Sequence, residues 1–257
     1  MKKLILFTVI ILNVNFSFAD CSSSGMQFFP MNKNISLNPM FIIQGYGYSQ
    51  QTIESFKNRN VYLIDENGEK INLKLIEIIK GQISLTQAVF KVESQLKTKT
   101  KYFIRYNNET ISEISEKKIY NSNVNKSEEI FWETNENENT ELLNPNLKLK
   151  FNKTDVIHYG CGPSANAIFE VSNSSKSETW FKTEVIEIST NTKTTFYLTS
   201  YESKINVGHG MCSGAFTFKN NGKYKVRFTA MNTDGKELES TEWTTFESPF
   251  KNDKFGR

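Results

Sequence analysis

The sequence predicts an all-β protein made of two tandem antiparallel β-sandwiches that follow a cleaved signal peptide. Aromatic residues make up 13% of the 257 residues, with 20 Phe and 10 Tyr. Aromatic and β-branched side chains favour strands because they fit a pleated, half-buried surface. Short runs that alternate apolar and polar residues recur along the chain, separated by Asn, Gly and Pro. The intervening segments are too short for the crossover helices that a parallel sheet needs.

Residues 1–19 have the pattern of a secretory signal. Lys2 and Lys3 precede an apolar run at residues 4–12, and Ser17 and Ala19 place small residues at a signal-peptidase site. The apolar run is shorter than the roughly 20 residues that a helix needs to cross a bilayer. We therefore expect no transmembrane segment and an exported protein in the periplasm, at the cell surface or outside the cell.

The charge balance narrows the classes of partner. The formal net charge of the chain is +3, and cleavage after residue 19 removes Lys2 and Lys3 and no acidic residue. A nearly neutral surface has no electrostatic footprint for nucleic acid. We expect a protein or glycan ligand and no nucleic-acid partner.

Cys21 follows the predicted cleavage site and raises the possibility of a bacterial lipoprotein. Signals of that class resemble Leu-Ala-Gly-Cys, with a small residue directly before the modified cysteine. Asp20 departs from this pattern, which argues against lipidation. In an exported chain, thiols tend to pair as disulfides.

The first predicted sandwich spans residues 22–138. The Asn67-Gly68 dipeptide lies between two alternating runs, which is a strong hairpin signal. Residues 73–80 could suit a helix, but their period of two and their Ile content favour a strand. The predicted strands are residues 40–43, 61–65, 71–79, 87–92, 102–106 and 129–134.

A polar segment at residues 135–141 separates the two predicted sandwiches. It is rich in Asn and Glu and is followed by Asn144-Pro145, which favours an extended chain. Its oxygen-bearing side chains could suit calcium, but their spacing matches no EF-hand loop. We interpret residues 139–145 as a linker.

The second predicted sandwich spans residues 146–248, and residues 249–257 are predicted to form a tail. Turn signals such as Asn221-Gly222 recur at the spacing expected of an antiparallel sandwich. The predicted strands are residues 147–151, 167–172, 179–188, 195–200, 214–218, 224–230 and 242–246.

The two halves share a short motif near their ends. KTKYFIRY around Tyr102 matches NGKYKVRF around Tyr224, and IFWET around Trp132 matches TEWTTF around Trp243. This arrangement resembles the last two strands of a bacterial immunoglobulin-like or fibronectin type III-like domain. The resemblance implies a tyrosine at the start of the penultimate strand that forms a corner hydrogen bond. It implies architecture and leaves the ligand open, because such modules carry many functions.

Both histidines lie three residues before a cysteine, as His158-Tyr-Gly-Cys161 and His209-Gly-Met-Cys212. Two thiolates and two imidazoles form a tetrahedral zinc set, and a nearby thioether would suit copper. The favoured interpretation is a Cys161–Cys212 disulfide with no cofactor, because the chain is expected to be exported. A metal site and a disulfide between Cys21 and one of these cysteines remain alternatives.

No catalytic set emerges from the sequence. The His-Cys pairs have no acidic orienting residue beside them, and no carboxylate pair stands out among the 28 acidic residues. We therefore expect a non-enzymatic binding or structural module. Six aromatic residues could form a sugar- or peptide-binding platform, although most should be core or corner residues: Tyr46, Tyr48, Trp132, Trp180, Tyr197 and Tyr201.

Overall fold

The structure is a computed structural model that describes residues 21, 24–121, 125–135 and 142–253. The predicted signal peptide lies outside these residues. Strands dominate the described chain, which confirms the all-β class. No helix in the described part of the chain is long and apolar enough to cross a membrane.

The elements occur in the following order. The first half contains β1 (Ser24–Phe29), β2 (Asn34–Ile35), β3 (Met40–Gly47), α1 (Gln50–Ser55), β4 (Val61–Asp65), β5 (Lys70–Lys80), β6 (Leu85–Val92), β7 (Lys101–Tyr106), α2 (Ile111–Glu116), β8 (Lys118–Asn121), β9 (Lys126–Glu129) and β10 (Phe131–Thr134). The second half contains β11 (Lys148–Tyr159), β12 (Gly162–Ser172), β13 (Thr179–Glu187), β14 (Thr192–Thr199), β15 (Lys204–His209), β16 (Lys223–Asn232), β17 (Thr244–Glu247) and a 3-10 helix (Pro249–Asn252).

The first half is an eight-stranded sheet, in the order β1-β3-β6-β5-β4-β7-β10-β2, that folds back on itself. Leu73 of β5 pairs with both β4 and β6, and a bulge lies between Leu75 and Glu77. Phe41 of β3 packs edge-on against Trp132 of β10, with ring centroids 4.9 Å apart. Because these strands are far apart in the strand order, their contact shows that the two ends of the sheet face each other across a core. A hairpin of β8 and β9 completes this half.

The second half is a sandwich of a three-stranded sheet, β11-β12-β15, and a four-stranded sheet, β14-β13-β16-β17. Phe169 of β12 and Phe228 of β16 pack with their centroids 4.9 Å apart, which joins the two sheets. The inner positions of both sheets are apolar and alternate with outer positions, as a two-sided antiparallel sheet requires.

Tyr102 and Tyr224 occupy matching positions in the two halves. Each is the second residue of a long strand, β7 or β16, and each is buried. The Tyr102 hydroxyl accepts a hydrogen bond from the Lys97 backbone N–H at 2.9 Å, and the Tyr224 hydroxyl accepts one from the Lys219 N–H at 2.7 Å. Both donors lie five residues before the tyrosine, so the corner hydrogen bond that the resemblance implies is present twice.

Several predicted elements need correction. Residues 73–80 form a strand within β5, as expected, but residues 214–218 do not form one. Gly214 makes single bridges to Ile83 and His209, and Gly214, Ala215 and Phe216 are buried in succession. Consecutive burial also occurs in β6, which is covered on both faces, so what separates residues 214–218 from a strand is that they form no ladder of paired residues. The third strand of the β11-β12-β15 sheet is β15, which is not among the predicted strands. The strands β1 and β2, the β8–β9 hairpin and both helices are also not predicted from the sequence.

The two halves pack against each other through apolar side chains and backbone hydrogen bonds. Trp180, Tyr197 and Met231 of the second half form one buried cluster with Phe29, Ile42 and Val89 of the first. The Ile83 N–H donates to the Gly214 carbonyl at 3.0 Å, and the Gly214 N–H donates to the Ile83 carbonyl at 2.9 Å. The contact is therefore a packed interface.

The last strand of the first half ends at Thr134, and the first strand of the second half begins at Lys148. The predicted linker falls in this interval, and residues 136–141, including most of the proposed calcium loop, lie outside the described chain. The limits of the two sandwiches stay predictions. The predicted tail begins as the 3-10 helix, whose Phe250 packs against the second core. The first residues of the predicted tail thus pack against the second half, and residues 254–257 are not among the described residues.

Candidate functional site

A cleft of about 350 Å³ lies between the two halves. One wall comes from β1, β3 and β6 of the first half, and the other comes from β12, β13, β14, β15 and the loops that follow β14 and β15. This volume is within the range of small-molecule sites, roughly 300–1,000 Å³. The cleft is therefore large enough for a small ligand.

Three glutamines form a ladder across the first wall. Register places Gln27 of β1 beside Gln44 of β3, and Gln44 beside Gln87 of β6. The Gln44 Nε2 donates to the Gln27 Oε1 at 2.8 Å, and the Gln87 Nε2 donates to the Gln44 Oε1 at 2.9 Å. The ladder begins at an exposed side chain, Gln27, and ends at one that is 2% exposed, Gln87.

The buried end of the ladder joins the two halves. The Gln87 Nε2 donates to the Tyr197 carbonyl at 2.9 Å, and the Tyr197 N–H donates to the Gln87 Oε1 at 3.1 Å. One amide side chain thus satisfies both backbone groups of Tyr197, as a neighbouring strand would. Buried backbone groups that lose their partners are costly, so this pair holds the floor of the cleft in place.

The opposite wall also presents amides. Asn166 of β12 donates through Nδ2 to the Ser164 hydroxyl at 3.1 Å and to the His209 carbonyl at 3.3 Å. Asn206 is exposed on β15, two residues from Lys204, so both lie on the same face of the strand. The wall therefore offers hydrogen-bond donors and acceptors and one cation.

The aromatic residues divide between core and cleft. Trp132, Trp180 and Tyr197 are buried, as expected of core positions, although Trp180 and Tyr197 also reach the lining of the cleft. Tyr201 lines the cleft and is 75% exposed, whereas the similarly exposed Tyr48 does not line it. Tyr201 is thus the most exposed aromatic ring in the described lining of the cleft.

The described lining of the cleft carries one permanently charged side chain, Lys204. Burial raises the pKa of Tyr197 above its usual range, and the nearby Glu77 carboxylate raises it further. The Tyr197 hydroxyl, which lies 3.2 Å from Glu77 Oε1, is therefore a permanent donor. Among the described lining residues, none is Asp or Glu.

The cysteines lie at one end of this region. The structure joins Cys21 to Cys212, with a Cα–Cα distance of 5.5 Å, whereas the favoured prediction from the sequence is that Cys161 is the partner of Cys212. The Cys161 sulfur lies within 4.8 Å of both bonded sulfurs. Packing of the halves decides the pairing, because it carries the start of β1 to the loop after β15. A Cys21 sulfur in this disulfide also has no valence left for a lipid thioether.

The two histidines do not join the sulfur cluster. His158 lies on β11 with Nε2 2.8 Å from the Asp253 carboxylate, and His209 is buried with Nδ1 2.8 Å from the Gly210 carbonyl. Among the described residues, the group close enough to share one ion consists of the three cysteines. The predicted zinc or copper set of His158, Cys161, His209 and Cys212 is therefore not assembled, because the rings are held by other partners.

A second, more apolar groove of about 620 Å³ lies on the first half, beside β1 and the β8–β9 hairpin. Met31, Ile119 and Tyr120 are largely exposed there. Acidic and basic side chains, including Lys33, Glu116 and Lys118, also line this groove, whereas the cleft has neutral amides on both of its walls.

The amide residues of the cleft are not predicted by the sequence. Gln27, Gln44 and Gln87 look like ordinary strand residues, and only the register of β1, β3 and β6 aligns them. The available signal is weak: Gln87 stands directly before the apolar run Ala88-Val89-Phe90, at the start of a predicted strand.

Comparisons with known proteins give weak structural likenesses. No known protein family matches the chain, and no curated protein matches it. Among solved structures, a pullulanase complexed with maltotriose from Anoxybacillus sp. LM18-11 is 8% identical with a TM-score of 0.26, covering 87% of this chain and 25% of that one. The chain thus spans about a quarter of that pullulanase.

Two further likenesses are of the same quality. A DUF4785 family protein from Legionella pneumophila is 9% identical with a TM-score of 0.24, covering 90% of this chain and 58% of that one. The N-terminal part of the bacterial S-layer protein SbsC is 11% identical with a TM-score of 0.25, covering 88% and 44%. None of these scores indicates a shared function.

Proposed function

We propose that the protein is an exported, non-enzymatic binding module of two immunoglobulin-like β-sandwiches that holds an uncharged glycan in the cleft between them. The observation that carries this proposal is the cleft itself. It combines a ladder of glutamine amides, two asparagines and an exposed tyrosine, and its described lining has no carboxylate.

The strand orders support the immunoglobulin-like assignment. In the first half, one continuous sheet in the order β1-β3-β6-β5-β4-β7-β10-β2 brings β3 and β10 face to face, and β2 pairs in parallel with β10. In the second half, layers of three and four antiparallel strands face each other. A corner tyrosine in each half adds to the resemblance, since this hydrogen bond is a hallmark of such sandwiches.

Export rests on two features. The signal pattern of residues 1–19 predicts secretion. The Cys21–Cys212 disulfide supports it, because disulfides persist in oxidising compartments and are rare in the cytosol.

The chemistry of the cleft favours sugar hydroxyls. An amide side chain both donates and accepts, as a hydroxyl does, so amide pairs satisfy uncharged sugars without a charge penalty. An exposed aromatic ring such as Tyr201 offers an apolar face for a sugar ring. A hydrolase acting on glycans would need two flanking carboxylates, and the described lining of the cleft has none.

The test is a glycan array of uncharged and anionic oligosaccharides, followed by calorimetric titration of the ligands that bind. We expect Tyr201→Ala to weaken binding about tenfold, which corresponds to roughly 1.4 kcal/mol. Tyr48→Ala is the matched control, because Tyr48 is 72% exposed and does not line the cleft. The bound glycan should be recovered without cleavage.

Three results would contradict the proposal. These are an array without an uncharged glycan that binds, equal affinities for Tyr201→Ala and Tyr48→Ala, and turnover of the ligand. Binding of a protein partner through the same cleft would support a binding module with a different ligand class.

A further inference from the structure

We propose that Cys21, Cys161 and Cys212 form a thiol–disulfide exchange site, in which the disulfide alternates between Cys21–Cys212 and Cys161–Cys212. All three sulfur atoms lie within 4.8 Å of one another, and all three residues are partly exposed. A third thiol at this distance from a disulfide can attack it after small side-chain movements. This inference is independent of the proposed glycan binding.

The segments that carry Cys161 and Cys212 lie next to each other. Cys161 lies in the turn between β11 and β12, and Cys212 lies in the loop after β15. Strands β12 and β15 are neighbours, with Ala165 paired to His209. A Cβ at Gly162 would lie 3.5 Å from the Met211 carbonyl oxygen. The turn and the loop are therefore in contact before any exchange occurs.

The exchange balances without an oxidant or reductant. Cys161 loses its proton to solvent, and its thiolate sulfur attacks the Cys212 sulfur. The Cys161–Cys212 bond forms as the Cys21–Cys212 bond breaks, and Cys21 leaves as a thiolate that takes a proton from solvent. One disulfide and one thiol are present before and after the reaction.

The two disulfides connect different parts of the molecule. Cys21–Cys212 joins residues 191 positions apart and ties the start of the first half to the second half. Cys161–Cys212 joins residues 51 positions apart within the second half. Exchange thus removes the covalent tether between the halves and exposes a thiol at the start of β1. Because His209 and Gly210 line the cleft, the tether ends beside the loop that borders it.

The test is disulfide mapping of the native mature protein. The protein is held at mildly alkaline pH, where thiolates form, then quenched with acid and alkylated. We expect alkylation to begin at Cys161 and to spread to Cys21 as Cys161–Cys212 peptides accumulate. The rate should not depend on protein concentration, since the reaction is intramolecular.

Two variants make the test decisive. Cys161→Ser should hold the Cys21–Cys212 disulfide with no alkylated thiol at any time. Cys21→Ser should remain folded by circular dichroism and form the Cys161–Cys212 disulfide in air. A single connectivity that never changes in the folded wild type would overturn the proposal, as would two persistent thiols in folded Cys21→Ser.

Discussion

Removing the hydroxyl group should lower the stability of the protein at Tyr102 and Tyr224, whose hydroxyls accept a backbone hydrogen bond, but not at Tyr106, which lies on the same strand as Tyr102. Tyr102 is fully buried, and its hydroxyl accepts the Lys97 N–H at 2.9 Å. Tyr102→Phe keeps the ring and leaves that N–H without its acceptor. Loss of a buried hydrogen bond of this kind costs about 1–2 kcal/mol. Tyr224→Phe should cost a similar amount in the second half, because the Lys219 N–H loses its acceptor.

Tyr106 is the matched control, four residues after Tyr102 on β7. Its hydroxyl is buried and has no hydrogen-bond partner among the described residues, and burial raises its pKa well above the usual value. Tyr106→Phe removes a polar atom that packing has already desolvated. We therefore expect Tyr106→Phe to leave the free energy of unfolding unchanged or to raise it by up to about 1 kcal/mol.

The assay is urea unfolding followed by tryptophan fluorescence. Trp132 and Trp180 are buried in the first and second halves, so the signal reports on both. Tyr102→Phe should lower the midpoint while Tyr106→Phe preserves or raises it. Equal loss of stability in these two variants would refute the idea that the hydroxyl acts through its hydrogen bond, and would assign the effect to ring packing.

Three further predictions follow from single contacts. Gln87→Leu should cost about 2–4 kcal/mol in urea unfolding, because it leaves both Tyr197 backbone groups unsatisfied; a change under about 1 kcal/mol would contradict this role. Burial acts to raise the pKa of Glu184, but hydrogen bonds from Arg227 and Lys193 outweigh it and hold the pKa below 4.5. The contribution of Glu184 to stability should be present above pH 4.5 and lost as the pH falls through the folded-state pKa. Glu184→Gln should therefore reduce the loss of stability at acidic pH, and an unchanged loss would be evidence against the ion pairs of Glu184 with Arg227 and Lys193. Thr110→Ala should cost about 1 kcal/mol in thermal unfolding by removing the N-cap of α2, and Thr110→Ser should restore most of it.

The comparison of sequence and structure separates local from long-range information. Alternation of apolar and polar residues identified β4, β5 and β7 because it reports which face of a strand is buried. The same pattern failed at residues 214–218, where the apolar side chains enter the core without a ladder. It also missed β1 and β15. The polar residues on β1 and β15 face the cleft, so neither strand shows a long apolar run.

The amino-acid pattern was sufficient for the all-β class and the strand character of residues 73–80, because these depend on side-chain period. The hydrogen bonds of Tyr102 and Tyr224 agree with what the resemblance to an immunoglobulin-like domain implies. The cysteine pairing and the glutamine ladder depend on contacts between distant segments. Cys21 reaches Cys212 across 191 positions only because an apolar interface brings β1 to the second half. Spacing along the chain carries no information about that interface, so the disulfide and the cleft emerged from the packing of the two halves.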